Sequence, residues 1–490
     1  MSIEAKQYIN GDWGASASGG GANGQKRATR ENPAKTSETV GSYPLCGAED
    51  TGAAIEAAHG AFPAWKALAW PARSEILHRA ANILDDHKED LARIMAREVG
   101  KPIGEARGEV KRGVVLLRYY AGEGLRSLGE VYPASDGKSL LYSNRIPLGV
   151  VGVITPWNFP VAIPIWKMAP ALIFGNTVVW KPAEPASITG FALMQLLEKA
   201  GFPKGVINMV TGKGAEAGQS ITSHRLMHGI SFTGSNEVGR KVALAAVERG
   251  IKFQLEMGGK NATIVAADAD LDKAVELTLS AAMRFCGQKC TATSRVIVEE
   301  SILPAFTEMI VERARNIKMS DPLEDDCYLG PVVNQTQHAS ILASIERGMQ
   351  SGARLLAGGK KAEGKPGYFI EPTIFGNVEP NSELAQREIF GPVLGILPAR
   401  DLTRALEIAN AVPFGLSAAI FTKDVSRILK FIKSAEAGMI KINGETAGVE
   451  PHAPFGGLKQ SSSHSREQGR AAIDFFTSIQ TIAISPAEDV

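Results

Sequence analysis

Four cysteines in 490 residues, Cys46, Cys286, Cys290 and Cys327, are too few for a disulfide framework. They suit a reducing compartment, and a cytoplasmic location is expected. Net charge is nearly absent: 53 basic side chains face 52 acidic ones, leaving +1. That balance removes the electrostatic case for nucleic acid or an anionic membrane as partner. The opening MSIEAKQYINGDWG places acids and glycines where a signal peptide needs an apolar core, so secretion by that route is not expected. Between Arg145 and Lys167 no formal charge occurs, which by hydropathy reads as a membrane span. Pro147, Pro156, Pro160 and Pro164 interrupt it, and each lacks a backbone donor. The stretch is read as buried strand, loop and helix start, and no membrane association is expected.

What is present is ordinary globular composition, 44% hydrophobic and 21% charged, with enough chain for roughly three domains at about 150 residues each. Gly11 to Lys35, rich in Gly, Ala, Ser and Asn, predicts an exposed loop after a short strand around Tyr8 and Ile9. From Thr51 to about Leu125 apolar residues recur at helical spacing, as in Ile76, Leu77, Ala80, Ile83 and Leu84. Beyond it, β-branched runs alternate with helical segments: GVVGVIT, NTVVWK, GVINMVT and GISFTG, then ATIVAAD, RVIVEE, ARLLAGG, FGPVLGILPA and SAAIFT. The alternation predicts two consecutive α/β halves with parallel sheets, their ligands lying beyond the carboxyl ends of the strands.

Several small patterns carry chemistry. TGKGAEAG, with Gly212, Gly214 and Gly218, approximates a dinucleotide fingerprint but spaces its last glycine one residue too far. FTGSNEVG places Gly234 and Ser235 between a strand and a helix, where backbone amides can approach a phosphate. Lys181 and Glu184 follow another strand; an acid there can accept both ribose hydroxyls and repel a phosphate on the same sugar, or it is simply a helix-start residue. In FCGQKCTATSR, Cys290 is surrounded by small polar residues that favour an accessible thiolate, whereas Cys286, four residues earlier, is read as packing on the same helix, and a zinc site built on the pair lacks two further ligands. No metal is expected. Glu256, before Gly258 and Gly259, is either a surface acid or the base that deprotonates water beside an acyl-enzyme. Asn158 either holds its loop or aims its amide at an oxyanion.

Taken in order, ITPWNFP, WKPAE, FTGSNEVG, LEMGGK, GQKC and EIFGPV resemble the aldehyde dehydrogenase superfamily, the likeness running from about residue 5 to about residue 485. The resemblance implies an aldehyde dehydrogenase-like α/β fold: a Rossmann-like NAD(P)-binding domain (1–127 and 147–257), an α/β catalytic domain (258–460) and a small β oligomerisation segment (128–146 and 461–490). It implies Cys290 as nucleophile, Glu256 as general base and Asn158 as oxyanion amide. Cofactor contacts fall on Lys181, Glu184, Ser235 and Glu388, with Ile154, Trp157, Gly214, Phe232, Gly234 and Phe390 lining the channel. The implied reaction is thiolate addition to an aldehyde, hydride loss to nicotinamide and hydrolysis of the thioester. NAD is expected from Glu184, with NADP left open by Lys181, and a homodimer or homotetramer is implied.

The run INGETAGVEPHAPFGGLKQSSSHSREQG, with GQKCTATSR, resembles α-ketoglutaric semialdehyde dehydrogenases. Arg284 matches a position where related succinic semialdehyde enzymes hold the substrate carboxylate, and a guanidinium can do so through two parallel bonds. Their second arginine is replaced here by Trp166, which leaves that clamp incomplete and keeps a broad-range or aromatic aldehyde as the alternative. A catalytically silent paralogue and a cysteine hydrolase are the readings from other classes.

Overall fold

A computed structural model describes residues 2–14, 26–126 and 128–487. Its first sheet has seven strands in the spatial order Lys252–Glu256, Gly229–Thr233, Val150–Ile154, Thr177–Lys181, Ile207–Met209, Gln7–Ile9 and Asp12–Gly14. The first five are mutually parallel and the last two antiparallel. Every residue of the central Thr177–Lys181 is buried, which is why NTVVWK reads as an unbroken apolar run without alternation. The chain order reverses between Val150–Ile154 and Gly229–Thr233, so a crevice opens beyond their carboxyl ends.

A second sheet runs Arg354–Ala357, Thr373–Gly376, Val393–Ala399, Thr293–Glu299, Asn261–Val265, Ser417–Phe421 and Met439–Ile442, parallel except at its first pair. Residues 257–260 alone separate the last strand of the first sheet from Asn261–Val265. A third sheet, antiparallel, pairs Thr477–Ile484 with Leu140–Pro147 and the latter with Val131–Tyr132. Residues 461–476, expected to go with it, instead pack elsewhere: Ser462 bridges to Glu256, and Ala472, Ile473, Phe475 and Phe476 join the first core.

Four helices, Ala48–Ala67, Trp70–Asp86, Lys88–Val99 and Ile103–Glu123, occupy the stretch read as amphipathic. The loop expected over Gly11 to Lys35 is a correction. Asp12–Gly14 forms a hairpin with Gln7–Ile9, and Arg27–Asn32 pairs with Lys35–Pro44. Trp13 explains the first: its ring packs on Tyr8 and Phe191 and its indole N–H donates to Glu198 at 2.7 Å. The rest of that stretch, 15–25, lies outside the described residues, as do residues 1, 127 and 488–490 of the expected segments. Among the described residues no helix is long and apolar enough to cross a membrane.

Candidate active site

The two sheets meet at a cavity of about 270 Å³. The first sheet contributes residues just past its carboxyl ends: Trp157 and Asn158 after Val150–Ile154, Gly234 and Ser235 after Gly229–Thr233, and Gly258 after Lys252–Glu256. The second contributes residues just before its amino ends, Cys290 before Thr293–Glu299 and Glu388 and Phe390 before Val393–Ala399. The expectation that ligands lie beyond carboxyl ends therefore holds for one sheet and is reversed for the other.

Cys286 and Cys290 do not share a helix, which corrects that reading. The helix Leu271–Met283 ends, and Phe285, Cys286 and Gly287 all take positive φ (52°, 58° and 64°) in a left-handed turn. Such φ values cost non-glycine residues on the order of 1–3 kcal/mol each, so packing must hold them. Phe285 is buried in the first core and Cys286 in the second, so adjacent side chains anchor the turn to both halves. Gly287 is required there because a Cβ would lie 2.2 Å from the Gly391 carbonyl. Beyond the turn the Cys290 carbonyl accepts from Asn261 Nδ2 at 2.8 Å, and Asn261 Oδ1 accepts from Ser417 N–H. The half-buried Cys290 thiol is pushed up to about 12 by burial, then by Glu388 and Glu256, which corrects the expectation that its small polar neighbours favour the thiolate.

Glu256 is buried at its strand end rather than on the surface. One carboxylate oxygen accepts from the Ser462 hydroxyl at 2.6 Å and the other, Oε1, has no partner among the described residues. Burial holds its carboxyl well above the usual carboxylate range, with Glu467 adding to the rise and Ser462 opposing it. Glu467 is itself tied down, by Lys167 and by the Trp166 indole at 2.7 Å. Trp166 is thus a buried wall residue whose ring packs 5.3 Å from Phe455, and Cys290 packs against the small apolar cluster containing Phe455.

Asn158 donates through Nδ2 to the Gln288 carbonyl at 3.0 Å, which places its amide beside the Cys290 loop. Its own carbonyl accepts from buried Lys101 at 2.6 Å, and Lys101 pairs with Glu109, which also accepts the Val161 and Ala162 amides. This charged support was missed in the sequence. The signal available was a lysine in a helical block that must have a partner once buried.

Of the expected cofactor residues, Trp157 meets Phe390 edge-on at 5.5 Å, and Ser235 caps the helix Asn236–Glu248 through the Val238 amide. Glu388 accepts from Gly259 N–H at 3.1 Å; burial raises it to about 7 against that amide and Lys260. A Cβ at Gly258 would lie 2.1 Å from the Glu388 carboxylate, so a side chain there would displace that carboxylate from its present place. Lys181 is buried at its strand end and brought down to about 8 by burial, with Glu184 opposing. Gly214 is exposed in the turn Gly214–Gly218, which passes over Lys181 at Gly218. Ile154 packs between two apolar clusters, and Phe232 is buried beneath Gly234, so its ring supports the turn and does not line the cavity.

Arg284 is not brought to the Cys290 cavity. Its exposed guanidinium lies 5.3 Å over Tyr328 in a separate cleft of about 500 Å³, also bounded by Glu105. Glu105 pairs with Lys289, the residue before Cys290, at 3.1 Å, so that cleft adjoins the cysteine loop from the other side.

Residues 21–482 match the aldehyde dehydrogenase family. An alpha-ketoglutaric semialdehyde dehydrogenase of Bacillus subtilis is 49% identical over 482 residues, covering 98% of each chain. A 2,5-dioxopentanoate dehydrogenase of Saccharolobus solfataricus is 39% identical over 92% of this chain and 95% of that one. The crystal structure of an NAD-dependent aldehyde dehydrogenase from Sinorhizobium meliloti superposes with a TM-score of 0.96 at 34% identity, over 100% of this chain and 96% of that one. A cysteine between an amide and two carboxylates, at the junction of two α/β sheets, thus accompanies likeness along nearly the whole chain: the protein belongs to the aldehyde dehydrogenase family.

Proposed function

We propose that the chain oxidises a carboxylate-bearing aldehyde, α-ketoglutaric semialdehyde or a close relative, to its acid, using NAD with NADP as a second cofactor. The observation that carries the reading is Cys290 on a cavity shared with Asn158 and Glu388, with Glu256 close enough to raise its thiol. The substrate class comes from the named activities of the relatives at 49% and 39% identity.

In this mechanism the Cys290 thiolate adds to the aldehyde carbon and forms a thiohemiacetal. Asn158 Nδ2, now on a backbone carbonyl, turns to the developing oxyanion together with the Cys290 N–H. A nicotinamide dinucleotide, which Lys181, Glu184, Ser235 and Glu388 would hold, would supply the hydride acceptor for oxidation to the thioester. Glu256, with Oε1 uncommitted, takes a proton from the water that releases the acid. The residues present fit such a cofactor. Glycine at 258 lets Glu388 close on the linker, the Ser235 turn opens a helix N-terminus, and Lys181 and Glu184 stand at the neighbouring strand end.

The proposed division assigns cofactor binding to 1–127 and 147–257, catalysis to 258–460, and assembly to 128–146 and the strand Thr477–Ile484 that pairs with it. Exposed Val131, Leu140, Ile479 and Ile484 on the third sheet support a homodimer or homotetramer, the four unpaired cysteines support a cytoplasmic location, and the near-absent net charge gives no electrostatic case for nucleic-acid or membrane partners. The Trp166–Phe455 aromatic wall favours a second reading, oxidation of aromatic aldehydes. Steady-state kinetics with α-ketoglutaric semialdehyde, succinic semialdehyde and benzaldehyde, each with both cofactors, decides. A kcat/KM highest for benzaldehyde refutes the carboxylate reading, and no reduced cofactor with any aldehyde refutes the activity.

A further inference from the structure

Helix Ile103–Glu123 carries an arginine that nothing above uses. Arg112 is half-buried and, among the described residues, has no ion pair; its single side-chain hydrogen bond runs from Nη2 to Gln468 Oε1 at 2.8 Å. A guanidinium offers five donors, so this one is mostly unspent. Gln468 is fully buried, sits at φ 59°, and its own Nε2 has no acceptor among the described residues. Two neighbouring side chains therefore present spare donors with no acceptor between them, and a buried unsatisfied amide costs on the order of 1–3 kcal/mol unless something fills the gap. Glu450 and Glu109 act on Arg112 through space, but neither makes an ion pair with it. A two-oxygen acceptor would match the donors of this pair.

Its location ties it to the cysteine. Two helical turns before Arg112, on the same helix face, Glu105 pairs with Lys289, next to Cys290. On the other side, Glu467 precedes Gln468, holds the Trp166 indole and exchanges backbone hydrogen bonds with Phe455. Phe455 and Val449 pack together with Cys290. The arginine and the spare amide are thus joined, through Glu467, Trp166 and Phe455, to the apolar cluster against which Cys290 packs, and none of these residues lines the cavity of Asn158, Ser235 and Glu388.

We propose that Arg112, with Gln468 Nε2 beside it, grips the distal carboxylate of the aldehyde substrate. The inference rests on the carboxylate-bearing reading above and supplies the inner half of the clamp that Trp166 and the displaced Arg284 leave incomplete. A planar guanidinium matches a carboxylate in two parallel bonds, and the Trp166–Phe455 pair then brackets the short carbon chain between the carboxylate and the aldehyde.

The test compares wild type, Arg112→Met and Arg112→Lys with α-ketoglutaric semialdehyde and with pentanal, an uncharged aldehyde of equal length. Glutarate is the dead-end inhibitor, and melting temperature and cofactor binding report on the fold. Loss of a charge-assisted pair lowers kcat/KM of Arg112→Met for the semialdehyde roughly ten- to hundredfold, mostly through KM. The rate with pentanal stays unchanged, glutarate inhibition disappears, and Arg112→Lys recovers part of both. An equal loss on both aldehydes makes Arg112 structural and overturns the proposal. So does an unchanged semialdehyde KM in a wild type that prefers the semialdehyde, and in that case the carboxylate reading survives. A wild type indifferent to the carboxylate and to glutarate overturns both.

Discussion

The first sheet offers the site its carboxyl ends and the second its amino ends. At the carboxyl ends, strands give way to turns that open helices, so backbone N–H groups and the Ser235 hydroxyl collect where a phosphate or ribose can be met. At the amino ends the chain is arriving, and Cys290 and Glu388 sit on approach loops, the first held by the side chain of Asn261 at the start of a neighbouring strand and the second by the backbone N–H of Gly259 between the sheets. The contrast teaches a division of labour: one sheet is built to hold a cofactor, the other to hold a nucleophile against it. Glu256 stands at the seam, the last residue of one sheet and five before the first residue of the next.

The division breaks most visibly at Cys290. Cys290→Ser removes the nucleophile and lowers reduced-cofactor formation on the order of a thousandfold or more. Because the first sheet is untouched, cofactor affinity measured by fluorescence quenching stays at the wild-type value; a joint loss would mean the two halves are not separable.

At the seam, Glu256→Gln keeps thiol addition and removes the base, a loss of about 10²–10⁴-fold in steady-state rate. Stopped-flow absorbance then shows a burst near one reduced cofactor per site followed by a slow phase, and absence of the burst would place Glu256 in acylation. The pH dependence has a definite sign. Burial and Glu467 raise the carboxyl, so it remains protonated, and unable to accept a proton, to a higher pH than a free glutamate. Wild-type turnover therefore falls as pH drops through that raised value, above the ordinary carboxylate range, and Glu256→Gln lacks this limb.

Asn158→Ala removes one donor from the oxyanion, and kcat falls by about 10²–10³. Asn158, like Glu256, comes to the chemical step from the first sheet, so this loss should appear in kcat with little change in cofactor affinity; a rise in cofactor KM alone would return it to a loop-holding role.

How much of this was legible follows the same division. The strands of the first sheet and the turns after them announce themselves because β-branched runs end in glycine and serine at helix starts, as in FTGSNEVG. Thr373–Gly376 and Met439–Ile442 did not: each is four residues long and depends on neighbouring strands distant in sequence. Cys290 was legible from its small polar neighbours. Its fixing by Asn261, the left-handed turn at Phe285 and Cys286, and the partners Ser462 and Glu467 were not. Ser462 and Glu467 reach the site over long range from a segment, SSSHSREQG, that has no apolar periodicity to mark it as buried. Lys167, the closing charge of a stretch otherwise fit for burial, was the available hint that an acid had to come from elsewhere.

The smallest effect tests the cofactor half alone. Glu184 begins the turn Glu184–Ala186, three residues past Lys181, so a ribose set there meets an acid and an amine of opposite consequence for a 2′-phosphate. A like charge at about 4 Å costs about 1 kcal/mol in water-like surroundings, so Glu184→Gln should improve kcat/KM with NADP about five- to tenfold. The same change weakens NAD modestly by removing a ribose acceptor. Lys181 sharpens the test, because burial brings its amine down to about 8 and an amine that loses its proton no longer attracts phosphate. The ratio of NAD to NADP kcat/KM should therefore rise as pH goes from 7 to 9 and stay flat in Lys181→Met. Since neither side chain touches Cys290, the aldehyde KM should be indifferent to both changes, and a shift in aldehyde KM would show that the carboxyl ends do more than hold the cofactor.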